Sequence, residues 1–320
     1  MLNKIICGDC IEVLGKASEP FADLIFADPP FNIGFKYDKY YDKVKKDNYI
    51  AWTHEWMSLC KKVLKPAGSF YIAIGDDYAA DVKIIADQLG LFMRNWIIWH
   101  YTFGQQTKNK FARSHTHIFY FVVDKKKFTF NDFAVRVPSD RQLIYNDKRA
   151  NKVGKLPDDV WTQYSRVCGT FKERQGWHPC QMPESVLQRI IAASSNPGDC
   201  ILDPFSGSGT TPVTALKMER NYVGIEISRQ YANKSRQRLS KTEKILQNQN
   251  HDPQMLMMAE LRRLINDTDL DKNLILQDRK ILKWITNQLG VRMNHSQEVQ
   301  QQQIVELLNK ISTAETSIDT

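Results

Sequence analysis

Over the first 124 positions, apolar residues alternate between short unbroken runs and helix-spaced stripes. Lys4–Cys7 is a short apolar run, and 23–27 (DLIFA) is a wholly apolar strand that stops at Asp28. The stretch 49–64 sets Ile50, Trp52, Trp56, Leu59 and Val63 at helical spacing and runs into Lys65-Pro66-Ala67-Gly68, where proline and glycine end a helix. A strand over 69–74, a helix over 78–89 closed by Gly90, and strands over 96–100 and 117–123 follow. The rhythm is lost across 125–176. It resumes with an amphipathic helix, Glu184–Ser194, and a strand at 200–202. A glycine loop then leads into a helix ending at Met218, followed by a strand at 222–227 and a helix at 229–239. Strands that are apolar on every residue need cover on both faces, so the pattern predicts an α/β fold around a mostly parallel sheet. Beyond Ser240, apolar residues at positions 257, 261, 264 and 265, then 281, 282, 285 and 289, then 304, 307, 308 and 311 predict an appended helical module.

Composition narrows this picture. A chain of 320 residues accommodates one large domain with an attachment, or two ordinary domains. With 42% hydrophobic and 25% charged residues it has the balance of a globular protein. No apolar run approaches the ~20 residues of a membrane helix, and the opening MLNKIICGDC lacks signal-peptide anatomy, so a cytoplasmic protein is expected. Six cysteines are too sparse for a disulfide scaffold. Cys7 and Cys10 have C-x-x-C spacing but no second pair nearby, and no metal site is expected.

The charge is informative once located. The chain carries 44 Lys+Arg against 36 Asp+Glu, a formal +8. Fifteen bases and seven acids lie within 101–176, which leaves 29 of each elsewhere. Lys108, Lys110, Arg113, Lys125, Lys126, Lys127, Arg136, Arg141, Lys148 and Arg149 are the candidate contacts to a polyanion. Such residues neutralise phosphates, while neighbouring polar side chains read base edges.

Two short segments carry chemistry. In Asp203-Pro204-Phe205-Ser206-Gly207-Ser208-Gly209-Thr210-Thr211, Gly207 and Gly209 let the backbone turn sharply beside a ligand. The helix N-terminus at Thr210 then faces that ligand with free N–H groups. Glu226 ends the next strand, where an acid can accept a ribose diol. Neither the GxGxxG spacing of a dinucleotide site nor the Gly-Lys-Ser/Thr of a P-loop is present.

The second segment, Asp28-Pro29-Pro30-Phe31, follows the apolar strand directly. An exocyclic amino group on a nucleobase is a poor nucleophile because its lone pair is delocalised into the ring. The Asp28 carboxylate and the Pro29 carbonyl, each accepting one N–H, would localise that pair toward an incoming methyl. Proline stiffens the platform by fixing φ, and Phe31 offers a face on which an extruded base can stack. This is catalysis by positioning and polarisation, without a covalent nucleophile. The aromatic run at 36–49 is either a lid over the site or a solvated loop.

These motifs and their order resemble those of the amino-methyltransferases of DNA that use S-adenosylmethionine. That family's catalytic signature is (D/N/S)PP(Y/F/W), and its cofactor loop reads FxGxG, as in Phe205-Ser206-Gly207-Ser208-Gly209. With the catalytic motif first and the cofactor loop last, the chain resembles the β class, a circular permutation of the Rossmann-like methyltransferase fold. Gly8-Asp9-Cys10, Val63-Leu64-Lys65-Pro66-Ala67-Gly68-Ser69, Trp161 and His178-Pro179-Cys180-Gln181-Met182-Pro183 resemble further family segments. The resemblance spans roughly residues 5–239. It implies a cofactor site at Asp9, Asp203, Phe205, Gly207, Gly209, Thr210 and Glu226, joined by His178 and Gln181, and catalysis at Asp28, Pro29, Pro30 and Phe31. Cys180 and Met182 stand where the family usually has Thr and Lys, which removes a Lys contact to the cofactor carboxylate.

The implied organisation is a catalytic half at 1–124, a target-recognition segment at 125–176, a cofactor-binding half at 177–240 and the helical module at 241–320. The implied activity is methylation of adenine N6 in double-stranded DNA after base flipping, of restriction-modification or epigenetic type. Asp at position 28 favours adenine, with cytosine N4 as the alternative. From another class, a DNA-binding module that has lost activity stays open. A cognate restriction endonuclease and a second copy of the chain are candidate partners.

Overall fold

The computed structural model describes residues 2–105, 107–145, 147–151, 154–169, 171–249, 257–258, 260–262, 264–265, 275–276, 279–292 and 301–316. Lys152, counted among the bases of 101–176, lies outside them. The chain divides into two compact units, one of Met1–Asn131 with Asp158–Lys244, the other of Asp132–Pro157 with Ile245–Thr320.

The first unit is built on a sheet in the order β1-β8-β7-β2-β3-β5-β4-β6. Its strands are β1 (Lys4–Cys7), β2 (Ala22–Ala27), β3 (Leu64–Ile74), β4 (Phe92–Gln105), β5 (Arg113–Val122), β6 (Val160–Trp161), β7 (Cys200–Asp203) and β8 (Asn221–Glu226). Every neighbouring pair is parallel except the two that β5 makes with β3 and β4. The expected strands are present; β3 begins at Leu64 rather than at 69, so Pro66 and Gly68 lie within it, and β4 and β5 start earlier than expected and form a long hairpin.

Strand alternation explains the unbroken apolar runs. Ile25 and Ala27 of β2, with Phe70, Ile72 and Ile74 of β3, enter the core beneath α1 (Cys10–Gly15), α2 (Lys46–Val63) and α3 (Ala79–Gln88). Leu24 and Phe26, with Tyr71 and Ala73, face the opposite core under α6 (Glu184–Ser194), α7 (Thr210–Lys217) and α8 (Arg229–Gln249). Both faces are covered, so neither parity of the strand can be polar. In α2 the buried stripe is Tyr49, Thr53, Trp56, Met57, Cys60 and Val63, rotated slightly from the stripe read off the sequence.

The second unit joins two distant stretches of chain. Met257, Leu261, Leu264, Ile285, Leu289 and Leu308 belong to a buried cluster, and these are positions whose helical spacing predicted a module. The clear helices here are Arg279–Arg292 and Gln301–Thr316. Leu143 from the central segment packs against the same cluster, and a short helix, Asp132–Val135, packs on the first of these two helices. The segment expected as one body over 125–176 is therefore divided, with 132–157 folding alongside the C-terminal helices. Two four-residue helices, α4 (Asp132–Val135) and α5 (Asp140–Leu143), cannot enclose a core, so their apolar residues borrow one.

Candidate active site

From β2 the chain winds through α2 to β3, and from β7 through α7 to β8 on the other side. The carboxyl ends of the adjacent strands β2 and β7 therefore meet where the winding reverses, the crevice in which an open α/β sheet binds its ligands. A cavity of about 720 Å³ opens there. Asp28, Pro29, Pro30 and Phe31 line it, together with Asp9, Asp203, Phe205, Gly207, Thr210, Glu226, His178 and Gln181. Residues nearly 200 positions apart are brought together by one strand pairing.

The Asp28-Pro29-Pro30-Phe31 segment is held from both sides. The Tyr49 hydroxyl donates to the Pro30 carbonyl at 2.5 Å. Asn32, left-handed at φ 58°, accepts from the Val44 N–H at 2.7 Å and donates to the Tyr78 hydroxyl at 2.6 Å. Phe31 lies against Gly75, where a Cβ would come 3.2 Å from its ring. The Pro29 carbonyl accepts no hydrogen bond among the described residues, so it remains available to a ligand. Burial and the Asp203 carboxylate push Asp28 up to about 7, against the opposing pull of Arg166. Burial pushes Asp203 itself up to about 7, although it accepts the Phe205 N–H at 2.9 Å.

The glycine loop is shaped by its neighbours. Gly207 has φ +47°, and a Cβ there would come 2.8 Å from His178 Nε2; Gly209, at φ +74°, is closed in by Ser235. Glu226 accepts the Gly207 N–H at 2.8 Å on one oxygen and the Ser228 N–H at 2.7 Å on the other. A carboxylate has about four acceptor positions, so lone pairs remain on both oxygens for a diol. The buried Ser206 hydroxyl, also in the cavity wall, has no partner among the described residues. A free hydroxyl, an acid with spare lone pairs and a glycine backbone that excludes side chains fit a nucleoside-bearing cofactor. Asp9 caps α1, accepting from Ile11 N–H at 2.8 Å, while it faces the cavity. Burial pushes His178 down to about 4, which leaves its ring neutral.

Gln181 lines the cavity and is also engaged with the loop before it. Its oxygen accepts the Gln175 N–H at 2.7 Å and its amide donates to Glu173 C=O at 2.9 Å. Its polar groups thus brace the preceding loop. Residues not singled out in the sequence also matter. Arg238 donates to the Ser208 carbonyl at 3.1 Å and to Thr210 Oγ1 at 3.0 Å while paired with Glu184 at 2.8 Å, fixing the glycine loop from α8. Arg166 lines the cavity with its guanidinium 5.0 Å from the Tyr101 ring centre. Neither has a sequence signature, because both act across long chain separations.

The aromatic run after the catalytic motif forms a hairpin in the cavity wall. Lys36 and Tyr41 form an antiparallel bridge, and the Tyr37 and Tyr40 rings stack at 4.8 Å. Ser228 Oγ donates to Asp38 Oδ2 at 2.5 Å, latching the hairpin to the start of α8. Burial raises the phenols of Tyr37 and Tyr40.

The candidate DNA contacts fall in three places. Lys108 and Lys110 are exposed at the turn between β4 and β5, at the cavity end of the sheet. Arg113 reaches the cavity and pairs with Asp76 at 2.9 Å. Lys125, Lys126 and Lys127 follow the far end of β5, roughly 30 Å away at about 3.3 Å per residue. There Lys125 sits over the Phe92 ring, and Asp124 accepts the N–H groups of Lys126 and Lys127. Arg136, Arg141, Lys148 and Arg149 belong to the second unit. Arg136 pairs with Asp132 at 2.8 Å, and Asp147 joins Arg141 at 2.7 Å and Arg149 at 3.1 Å.

An acid-Pro-Pro-aromatic segment and a glycine loop flanking one switch point define a methyltransferase directed at exocyclic amino groups. Comparison with known proteins agrees. The model of the DNA methylase family matches residues 22–237, and the chain belongs to that family, which comprises N6-adenine and N4-cytosine DNA methyltransferases. The type II methyltransferase M.HpaI of Haemophilus parainfluenzae is 38% identical over 240 residues, 75% of this chain and 74% of that one. The DNA adenine methyltransferase YhdJ of Escherichia coli strain K12 is 38% identical over 243 residues, 73% of this chain and 82% of its own. In fold, the cytosine-N4-specific PvuII DNA methyltransferase superposes with a TM-score of 0.58 at 19% identity, over 74% of this chain and 90% of the other. None of the described helices is long and apolar enough to cross a membrane.

Proposed function

We propose that this chain methylates the N6 amino group of adenine in duplex DNA at a specific sequence. The observation that carries the reading is the pairing, at the switch point, of the Asp28 carboxylate with an unengaged Pro29 carbonyl. Two acceptors on adjacent residues match the two N–H bonds of an exocyclic amine. Asp28 and the adenine-directed relative YhdJ favour adenine over cytosine.

Asp9, Ser206, Gly207 and Glu226 would hold S-adenosylmethionine, with His178 closing over Gly207. Bound there, S-adenosylmethionine supplies an electrophilic methyl carbon. Asp28 and Pro29 orient the amine and draw its lone pair out of ring conjugation, while Phe31 stacks the base. As the amine nitrogen gains a fourth substituent its N–H becomes acidic. A carboxylate raised to about 7 is matched to accept that proton near neutral pH. The neutral phenols of Tyr37 and Tyr40 wall the site from water without adding charge. Lys108, Lys110 and Arg113, at the cavity end of the sheet, would meet the phosphates flanking the flipped base. Relatives named as type II methyltransferases support a restriction-modification setting.

The test is methylation of mixed-sequence plasmid DNA with S-adenosylmethionine, followed by mass spectrometry of the nucleosides. N6-methyladenine is expected. N4-methylcytosine would transfer the reading to the other base, and no methylated nucleoside would overturn it.

A further inference from the structure

The aromatic hairpin that follows Phe31 is built as one stiff piece. At its base Asn32 accepts the Val44 N–H at 2.7 Å and donates to the Val44 carbonyl at 3.1 Å. Above this clamp the Gly34 N–H donates to the Asp42 carbonyl at 3.1 Å, and the Asp42 N–H to the Phe35 carbonyl at 3.0 Å. The Tyr37 N–H closes the turn on the Tyr40 carbonyl at 2.9 Å. The buried Asp42 side chain also accepts the Phe35 N–H. The bonds that shape 34–42 are internal to the hairpin, so it can move as a unit without unmaking them.

Its two faces differ. Tyr37 and Tyr40 line the cavity together with Asp28, Cys180 and Glu226, whereas Lys36, Lys39 and Lys43 are exposed. After burial itself, nearby Cys180 and Asp28 raise both phenols, and Glu226 raises that of Tyr40. The stacked pair therefore spans the cavity from Asp28 to Glu226. The tip is tied down at Ser228, whose hydroxyl donates to Asp38 Oδ2 at 2.5 Å and whose N–H donates to Glu226 at 2.7 Å. One residue thus positions the acid that would hold the ribose and fastens the cover over it. Ser228 is buried but Asp38 is exposed, so water can solvate the Asp38 carboxylate when their bond opens. Releasing the tie leaves no buried charge, and it is reversible.

We infer that the 34–42 hairpin is the gate of the cofactor site, with Asp38 and Ser228 as its latch. The latch must break and the Tyr37–Tyr40 pair must swing off the cavity before S-adenosylmethionine can enter or S-adenosylhomocysteine can leave. The inference rests on the S-adenosylmethionine site described above and adds how that site opens and closes. Gly34, at φ +81°, joins the Asn32–Val44 clamp to the hairpin and is where the chain bends as the gate opens. Closure serves the chemistry, because a methyl donor held under two aromatic rings is kept from water until the amine reaches it. The latch also makes closure and a formed ribose site one geometry, since Ser228 is bonded to both Asp38 and Glu226.

The experiment measures cofactor exchange on the full chain with no DNA present. Stopped-flow tryptophan fluorescence follows S-adenosylmethionine and S-adenosylhomocysteine, with Trp52 in the cavity wall as a reporter. Asp38→Ala should raise the association and dissociation rates alike by about tenfold, equal to about 1.4 kcal/mol of latch, and leave Kd within about twofold. Ser228→Ala keeps the N–H to Glu226 and should do the same. The double variant should be no faster than either single one, because the two residues make one bond. Asp38→Asn retains an acceptor oxygen and should stay near the parent. Trypsin should cut after Lys36 and Lys39 about tenfold faster in Asp38→Ala with Tm unchanged, which separates opening of the hairpin from loss of the fold. Parent-level exchange rates in both latch variants would overturn the gate. So would a rise in dissociation alone with Kd weakened in proportion, which would make Asp38 a ligand of the cofactor instead of a latch. A parent that bound neither molecule would overturn the cofactor site itself, and the gate with it.

Discussion

Replacing Asp28 by Asn should make the protein more stable and nearly inactive, and the stability gain should depend on pH. Asp28 is moved from an ordinary 3.8 to about 7, chiefly by burial and next by Asp203. At about 1.36 kcal/mol per pH unit, keeping it ionised costs the fold at most about 4 kcal/mol at pH 8. Its partial exposure to the cavity reduces this to roughly 2–4 kcal/mol. Below about pH 3.8 the carboxyl is protonated in folded and unfolded chains alike, and the penalty is absent. Between 3.8 and 7 the folded chain retains a proton that the unfolded chain has released, so stability falls as pH rises. Above 7 the whole penalty stands. Asp28→Asn removes the ionisation and should raise Tm by on the order of 5–10 °C at pH 8, with the gain fading toward pH 4. Methyl transfer should fall by about 10²–10³, because the amide is a weaker acceptor and turns N–H groups toward the amine. Thermal unfolding at pH 8 and pH 4, paired with single-turnover methylation, measures both effects. No gain at pH 8, or an equal gain at both pH values, would refute the burial argument; unchanged methylation would refute the role of the carboxylate.

Three further outcomes follow from the site and its support. Gly207→Ala should weaken S-adenosylmethionine binding by at least tenfold in a calorimetric titration, since the new methyl would stand 2.8 Å from His178 Nε2 at φ +47°; His178→Ala in the same chain should restore part of the loss. Arg166→Gln should move the acidic limb of the kcat/KM profile to higher pH, because Arg166 opposes the rise of Asp28, while Arg166→Lys should leave it close to the parent's. Trp56→Ala should cost about 3–5 kcal/mol in denaturant unfolding, since Trp56 is fully buried and packs edge-on against Phe70 and Phe205.

Much of the first unit was legible because its strands are apolar on both parities and a helix such as α3 stops just before Gly90. Lys4–Cys7 and Glu184–Ser194 occur at the expected bounds, and the two chemical segments sit at strand ends as their order implied. Short or polar elements were harder to see. Helix α1 has six residues and depends on Asp9 as its cap, while β6 has two and exists through pairing with β4. Arg238 and Arg166 carry no sequence signal because their partners lie in other elements. A polar side chain's pattern in sequence does not reveal whether it faces a ligand or a neighbouring carbonyl.

The sequence by itself determined the class of fold and the order in which the Asp28-Pro29-Pro30-Phe31 segment and the glycine loop occur. Hydrophobic parity and local backbone chemistry are properties of consecutive residues, so a linear reading can recover them. Tertiary structure alone decided that Asp28 and Asp203 share one crevice, and that burial there brings both carboxyls to about 7. It also decided that a basic segment continuous in sequence is divided: six bases and one acid in 101–131 stay with the first unit, while, among the described residues, five bases and three acids in 132–157 go to the second. Desolvation, charge coupling and the burial of a small apolar face depend on residues far apart in the chain, and only folding brings those residues together.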